Sequence, residues 1–366
     1  MMTRHAAALL GLALVACQAA SAELPEHDAR ELVPLEFAPA IRGRDGGYSK
    51  WFAGRSVWLF GDTPLDVDAV DGARWRTSTF TTVVDDDLAD GLGPFVEPLD
   101  DNGAPGQLIP FTADELAYNL SQTAPACTES CEPTWVLWPG DLAVSPAGDY
   151  ALVFYWKIRD WENQGTGIAR WTHPDAPLQR LMFNTVPDEP TMLFSREEHE
   201  LGTAALVEGD TLYVYGCEHR GWFEFDCVVG RAPFASALER GAWEFWDGAA
   251  WSRELADAVS VMDAASIVTV HYNAHLGRYL AIYAKGDDEA IARTAPAPEG
   301  PWSDEEVVHK AMGHEDGSPI YDVIAHPELS RDDGRVLYLS YSRGTGFLQS
   351  EMRLVELTFA PTRAGD

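Results

Sequence analysis

The sequence predicts an all-β protein, a five-bladed β-propeller, because five β-hairpins recur along the chain and helical periodicity is almost absent. Each hairpin has a β-rich strand, a turn that contains glycine, and a second strand rich in Tyr, Leu and Val. The first example is WFAGRSVWLFGD. The turn glycines are Gly54, Gly148, Gly209, Gly277 and Gly334. After the first gap these turns are spaced by roughly sixty residues, the scale of a propeller blade.

Further strand-like segments between the hairpins complete the blades, since a hairpin with one or two outer strands makes a four-stranded blade. One ring of five blades accounts for residues 38–360 as a single domain. The segment Val84–Ala126, rich in Asp, Gly and Pro, is expected to be an elaborated loop over one face. A short helical stretch is expected at Phe234–Glu239. The alternative is a β-sandwich or two smaller β domains, but hairpins that recur in one style are explained better by a ring of blades. The added strands are TSTFTTVV, GTGIARW with LQRLMF, DCVVGRA with WEFWDG, EAIART, and MRLVELTF.

Residues 1–22 have the features of an export signal. A basic start precedes the apolar run AAALLGLALVA, which is too short to span a bilayer as a mature anchor. The motif LVAC matches a bacterial lipobox, in which Cys17 would be lipidated, and the overlapping ASA at 20–22 fits an ordinary signal-peptidase site. We favour the lipobox because the match includes the cysteine itself. The prediction is an outer-membrane or cell-surface lipoprotein that meets the membrane through this anchor alone; a periplasmic or secreted protein is the alternative.

The other four cysteines predict disulfides, since an even number suits the oxidising compartment that export implies. Three connectivities are possible, and proximity favours Cys127–Cys131 and Cys217–Cys227. A metal site is the alternative, but neither spacing resembles paired C-x-x-C knuckles.

The charge balance excludes several partners. Lys and Arg number 26 against 58 Asp and Glu, which gives a formal net charge of −32. Such a field repels nucleic acid and anionic membrane surfaces. The chain is expected to be a monomer, and charge alone does not identify its substrate.

Acidic and basic residues flank the hairpin strands at one edge. In an antiparallel hairpin, the start of the first strand and the end of the second lie together, and in a propeller that edge faces one mouth of the central channel. Two acids therefore flank the first hairpin and are expected to join a shared pocket. The candidates at strand starts are Asp45, Asp141, Glu200, Asp263 and Asp322, and those at strand ends are Asp62, Lys157, Glu218, His219, Arg220, Lys285 and Arg343.

A ring of this composition suits glycoside hydrolysis, which needs one carboxylic acid to protonate the leaving oxygen and one carboxylate to activate water or attack carbon. Neighbouring charges separate the two pKa values. Trp138 is a candidate for stacking on a sugar ring, although such a residue more often packs between blades. The carboxylates could instead be turn formers or strand caps. The predicted catalytic residues are Asp45, Asp141, Glu200 and Glu218, and the predicted substrate-binding residues are Asp62, Lys157, His219, Asp322, Arg343 and Trp138.

The segment DGGYSKWFAGRSVWLFGDT resembles the signature of a secreted bacterial family catalogued as a domain of unknown function, some members of which are endo-D-arabinofuranases. More distantly, the layout resembles the five-bladed furanosidases, the arabinanases and β-xylosidases. Their base, an Asp before the innermost strand of blade one, matches Asp45. Their second Asp, in W-A-P-D on blade two, is matched in part by WPGD ending at Asp141. Their acid is a blade-three Glu in an E-G-P context that is absent here, so Glu200 and Glu218 correspond by position only.

The resemblance implies a glycoside hydrolase that cleaves furanoside, arabinan-like linkages in an oligosaccharide or polysaccharide. No cofactor is required by any motif. A calcium ion can sit in the channel of such propellers, although no ligand motif indicates one here. The alternative function is a non-catalytic surface propeller that binds glycans or a protein.

Overall fold

The computed structural model describes residues 23–84, 88, 92–221 and 224–361. The described chain forms five main sheets, and the inner strand of each contacts the inner strands of the two adjoining sheets, so that the ring closes. The fold is the five-bladed β-propeller that the sequence predicts. The export signal and Cys17 lie outside the described residues.

The described chain begins with a strand that belongs to the last blade, and blades one and two then follow the predicted hairpins. Blade one has three strands, and a single bridge between Thr82 and Val96 takes the place of a fourth. The strands in chain order are β1 (His27–Glu31); in blade one β2 (Gly46–Phe52), β3 (Arg55–Phe60) and β6 (Thr79–Val83), beside the separate pair β4 (Thr63–Pro64) and β5 (Trp75–Arg76); and in blade two β7 (Val136–Val144), β8 (Ala151–Arg159), β9 (Glu162–Trp171), β10 (Gln179–Arg180) and β11 (Phe194–Ser195).

Blades three to five are built on the remaining three hairpins. Their strands are, in blade three, β12 (Leu201–Glu208), β13 (Thr211–Gly221), β14 (Glu224–Pro233), β15 (Glu244–Trp246), β16 (Trp251–Ser252) and β17 (Met262–Asp263); in blade four, β18 (Val268–Asn273), β19 (Arg278–Lys285), β20 (Glu289–Ala295) and β21 (Glu306–Lys310); and in blade five, β22 (Ile324–Ala325), β23 (Val336–Gly346) and β24 (Gln349–Phe359).

Strand β1 closes the ring by pairing antiparallel with β24, so that blade five combines both ends of the described chain. The sequence placed the start of the propeller at residue 38 and did not include this strand. Its sequence, HDARE, has no apolar alternation, because an outermost strand buries little of either face.

Five apolar clusters each fill one interface between neighbouring blades, and a small sixth cluster lies around the β4–β5 pair. Strands such as β3 and β8 are therefore buried on both faces and read as continuous apolar runs without a polar face. The predicted turn glycines all have positive φ, for example 80° at Gly54 and 72° at Gly148, a conformation that glycine adopts without steric cost. Packing between blades and glycine turns thus produce the repeat seen in the sequence.

One α-helix, α1 (Ala113–Gln122), lies within the segment that was expected to be a loop. The expectation missed a capping box: the Thr112 hydroxyl accepts from the Glu115 N–H (3.2 Å), and the Glu115 carboxylate accepts from the Thr112 N–H (2.9 Å). The stretch expected to be helical at Phe234–Glu239 is a single 3-10 turn in its first half. The described 3-10 turns are Phe234–Ser236, Arg240–Ala242, Leu255–Asp257, Pro327–Leu329 and Asp332–Gly334.

Both predicted disulfides are confirmed. Cys217 and Cys227 are directly opposed on β13 and β14, and their sulfurs are 2.07 Å apart. Cys127 and Cys131 close a short loop after α1. Among the described helices, none has the length and apolar character needed to cross a membrane.

Glu31 fastens β1 to its neighbours. Its carboxylate accepts hydrogen bonds from Tyr341 (2.6 Å) and Arg353 (3.2 Å), and lies 2.9 Å from the His309 ring on blade four. Partial burial alone would raise the pKa of Glu31, but these contacts hold it below its ordinary value. The ionised carboxylate therefore stabilises the closed ring.

Replacing Glu31 with Gln should lower the free energy of unfolding by about 1 kcal/mol at pH 7, a modest loss because the site is partly solvated. The stabilisation is complete above the ordinary pKa of 4.5 and is lost as the pH falls through the lower folded-state pKa, so the two proteins should converge in acid. Denaturant unfolding across pH measures this. Glu26→Gln, at an exposed position, serves as the control; a loss independent of pH would contradict the prediction.

Candidate active site

A cavity of about 770 Å³ lies at one mouth of the ring, and all five blades contribute to its wall. The wall is formed where inner strands begin and second strands end, as the hairpin geometry predicts. Six of the ten predicted catalytic and substrate-binding residues line it: Asp45, Asp62, Trp138, Glu200, Glu218 and His219.

Asp45 lies at the entrance to β2 beside the end of β3. The Gly61 N–H donates to the Asp45 carbonyl (3.0 Å), which joins the two ends of the hairpin. A Cβ at Gly61 would lie 2.7 Å from the Asp45 carboxylate, so glycine permits this close approach. The Tyr321 hydroxyl donates to Asp45 Oδ2 (2.5 Å). Burial of the carboxyl group and the nearby charge of Asp62 raise the pKa of Asp45 to about 7.

Asp62, at the other end of the same hairpin, is held by two indole groups. The Trp75 Nε1–H donates to Asp62 Oδ1 (2.8 Å), and Trp138 donates a second hydrogen bond. Burial raises the pKa of Asp62, and the two indoles oppose this rise. The two acids that flank the first hairpin therefore form an interacting pair on blade one.

A second pair, Glu200 and Glu218, lies on blade three. Glu218 Oε1 is 2.7 Å from His199 Nδ1, and this contact holds the pKa of Glu218 below its ordinary value. Glu200 keeps contact with solvent, yet protein atoms crowding its carboxyl group, together with the charge of Glu218, raise its pKa against the effect of a hydrogen bond from Asn163. The pKa values of the two carboxyl groups are therefore displaced in opposite directions, upward for Glu200 and downward for Glu218.

Blade two supplies an aromatic wall between the two pairs. Trp138, Trp156 and Trp161 line the cavity, and the Trp156 Nε1–H donates to the Leu201 carbonyl (3.2 Å), which fixes its ring. Sequence reasoning missed Trp161 and Tyr321. Trp161 had a signal in the sequence: Asp160 and Trp161 are the only residues between two strand-like runs, which indicates a two-residue hairpin turn. The partner of Tyr321 is distant in sequence, so no local pattern could indicate it.

Asp141 lies outside the cavity wall and is fully buried. Its two oxygens accept from Lys50 Nζ (2.9 and 3.0 Å), and they also accept from the backbone N–H groups of Leu142 and Ala205 (2.8 Å each). The inner strand β7 starts at Val136, earlier than its apolar run suggests, so Asp141 lies within the strand rather than at its mouth. Its carboxylate joins blades one, two and three.

Asp322 has an equivalent position between blades five and one. It is fully buried, and it accepts from the Gly46 N–H (3.0 Å) and the Ser342 N–H (3.0 Å). Burial raises the pKa of Asp322 well above its usual range. Asp141 and Asp322 thus each accept a hydrogen bond from the backbone of the following blade.

Lys157 and Arg343 also lie away from the cavity wall. Lys157 Nζ contacts Glu189 (2.5 Å) and Glu115 (3.0 Å), which connects blade two to helix α1. Arg343 donates to Glu351 (3.0 Å) within blade five. Both cations have acidic partners within the protein.

The calcium ion that the sequence left open stays a prediction. Within the described ranges, no three His, Cys, Asp or Glu side chains converge as metal ligands. Lys50 already neutralises Asp141, and a cation beside its ammonium group would be repelled. We assign no step of the chemistry to a metal.

The model of a family described as a domain of unknown function, DUF4185, matches residues 39–350. None of the curated proteins matches this chain. A proposed hydrolase from Bacteroides ovatus is 14% identical over 87% of each chain, with a TM-score of 0.57, which shows a shared fold. A GH43 β-xylosidase/α-arabinofuranosidase from a compost metagenome, in complex with xylotriose, is 14% identical over 93% of this chain and 96% of its own, with a TM-score of 0.49. The α-L-arabinofuranosidase of Podospora anserina, in complex with cellotriose, is 11% identical over 90% and 96%, with a TM-score of 0.46.

Asp45 should titrate near pH 7, and Asp62→Asn should lower its pKa, because the substitution removes a neighbouring negative charge. Carboxyl-carbon NMR titration measures both values. Asp68→Asn removes an exposed acid of the same loop and should leave the titration of Asp45 unchanged. An Asp45 pKa near that of an ordinary aspartate in the wild type would contradict the prediction.

Asp322→Ala should lower the free energy of unfolding by about 3 kcal/mol, because two buried N–H donors lose their acceptor. Asp322→Asn keeps one carbonyl oxygen and should cost less than half as much. Denaturant unfolding compares these variants with Asp101→Ala, an exposed position. Equal losses for Asp322→Ala and Asp101→Ala would show that the contact between blades five and one contributes little.

Proposed function

Since the chain belongs to the DUF4185 family, whose description assigns no activity, we propose its function from its own site: a glycoside hydrolase that acts on furanoside chains. The observation that carries the proposal is that two carboxylate pairs line one cavity. Asp45 and Asp62 lie on blade one, and Glu200 and Glu218 lie on blade three, which is not its neighbour in the ring. Each pair contains groups whose pKa values are displaced by the other or by nearby residues. Glycoside hydrolysis uses such an arrangement.

Glu200 is the proposed general acid. Its pKa is raised, so Glu200 holds its proton to a higher pH than an ordinary glutamate, and this proton can pass to the leaving glycosidic oxygen as the bond to the anomeric carbon breaks. Glu218 stays ionised beside His199 and keeps that proton on Glu200. This assignment follows the blade-three position of the acid in the furanosidases that the sequence resembles.

Asp45 is the proposed base or nucleophile. As a base it takes the proton of the water that adds to the anomeric carbon; as a nucleophile it forms the bond to that carbon itself. Asp62 and Tyr321 hold its carboxylate at the cavity wall and set its pKa. The sugar ring at the scissile bond would lie against Trp138 and Trp156, between the two pairs.

The preference for furanosides rests on the resemblance of the opening hairpin to a family with endo-D-arabinofuranases. Export and lipidation at Cys17 belong to the same proposal, and the two disulfides are consistent with an oxidising compartment. A monomeric state is part of the same proposal.

A glycan-binding propeller without catalysis is the second candidate. One observation favours it: the blade-two carboxylate Asp141, which matches a catalytic position of the furanosidases, is sealed between blades rather than placed in the cavity. This function keeps the cavity and its tryptophans and needs no proton transfer.

Asp45→Asn and Glu200→Gln should each lower hydrolysis of arabinan, galactan or xylan by roughly 10²–10⁴-fold, the range for removal of an acid or base catalyst. Reducing-end release measures the rate, and thermal unfolding confirms that the variants fold. Glu129→Gln, an exposed position, should hydrolyse like the wild type. Glycan binding by the wild type without any product would favour the binding protein.

A further inference from the structure

Trp161 occupies the tip of the hairpin that joins β8 to β9. Arg159 pairs with Glu162, so Asp160 and Trp161 alone form the turn. Both have positive φ, 53° and 65°. Two-residue turns of this kind favour Asn, Asp or Gly, because other side chains are strained in the left-handed region.

Trp161 is also 87% exposed, so burial does not explain the choice of tryptophan at this position. A large apolar side chain in a strained turn and in water lowers stability on both counts. Features of this kind concentrate at functional sites.

The ring of Trp161 extends the wall of the cavity outward. Its centroid is 6.2 Å from that of Trp138, and both rings line the cavity together with Trp156. The aromatic surface therefore runs continuously from the carboxylates to the rim. Flat aromatic faces of this kind pack against the C–H faces of sugar rings.

The charge of the wall selects among sugars. Asp45, Asp62, Glu197, Glu200 and Glu218 contribute acids, and the basic Arg196 already pairs with Glu162 (3.3 Å). An anionic sugar would be repelled by this wall, whereas an uncharged sugar would not.

We propose that Trp161 is a sugar-binding residue outside the carboxylate pocket, and that the ligand is an uncharged oligosaccharide chain long enough to reach from the carboxylates to the rim. The proposal rests on the proposed function for the identity of the inner site. It adds the position of an outer sugar unit and the exclusion of acidic glycans.

The test is calorimetric binding to the Glu200→Gln variant, which separates binding from turnover. The probes are oligosaccharides of arabinan, galactan and xylan, each of one to six units, and oligogalacturonides as the charged series. Trp161→Ala in the same background should weaken binding of the longer neutral chains by about tenfold, which corresponds to 1.4 kcal/mol, and leave single sugars unaffected. Phe347→Ala is the matched control, since Phe347 is 85% exposed at the tip of the β23–β24 hairpin and does not line the cavity.

Trp161→Asn provides a second readout, because asparagine tolerates the left-handed turn. It should weaken binding as Trp161→Ala does without lowering the thermal midpoint. A lowered midpoint with unchanged binding would show a structural role instead.

The outcomes separate this inference from the proposed hydrolase. Product release by the wild type with unchanged binding in Trp161→Ala would overturn the inference and leave the hydrolase. Binding that depends on Trp161 without any product release would support the inference and overturn the hydrolase. Failure to bind any neutral probe, or equal affinity for oligogalacturonides, would overturn the inference.

Discussion

The structure depends on packing between neighbouring blades, because an apolar cluster fills each of the five interfaces of the ring. The ring must therefore close. Between blades five and one, the His326 ring stacks on Trp58 at 3.9 Å and contacts the Ser49 hydroxyl at 2.6 Å. Asp322 bonds the N–H of Gly46, the residue after Asp45. The contacts that close the ring therefore also position the candidate base, Asp45.

The candidate site keeps carboxylates crowded where stability alone would separate them. Asp141 and Asp322 show how the fold treats a buried acid elsewhere, with a cation or backbone donors at both oxygens. Burial raises the pKa values of all four acids, but only Asp45 and Glu200 among them line the cavity. Raised pKa values in a cleft mark a site where chemistry outweighs stability.

Much of the fold was predictable from sequence, because each blade repeats the same local code of apolar run and turn glycine. The strand β1 and the helix α1 were not predicted: the first has no apolar alternation, and the second is marked only by the capping box at Thr112. Six site residues were predicted from their places at strand ends. From the sequence, Asp141 was expected at the start of its strand, at the mouth of the ring. In the structure, a bulge between Pro139 and Leu142 extends β7 beyond its apolar run, so Asp141 lies inside the strand. Tyr321 could be assigned only from its contact with the distant Asp45, whereas Trp161 had a local signal in its two-residue turn.

The pairing of β1 with β24 also determines on which face of the ring, relative to the cavity, the two ends of the described chain lie. His27 lies opposite Phe359, and the Ala360 N–H donates to the Glu26 carbonyl, so the chain enters and leaves side by side. The third strand of a blade starts at the mouth of the ring that holds the cavity, as β9 does beside Trp161. Strand β24 is the third strand of blade five, so it ends on the opposite face of the ring. A tether joined to either end of the described chain would thus attach on the face opposite the cavity and leave the cavity mouth directed away from the attachment surface.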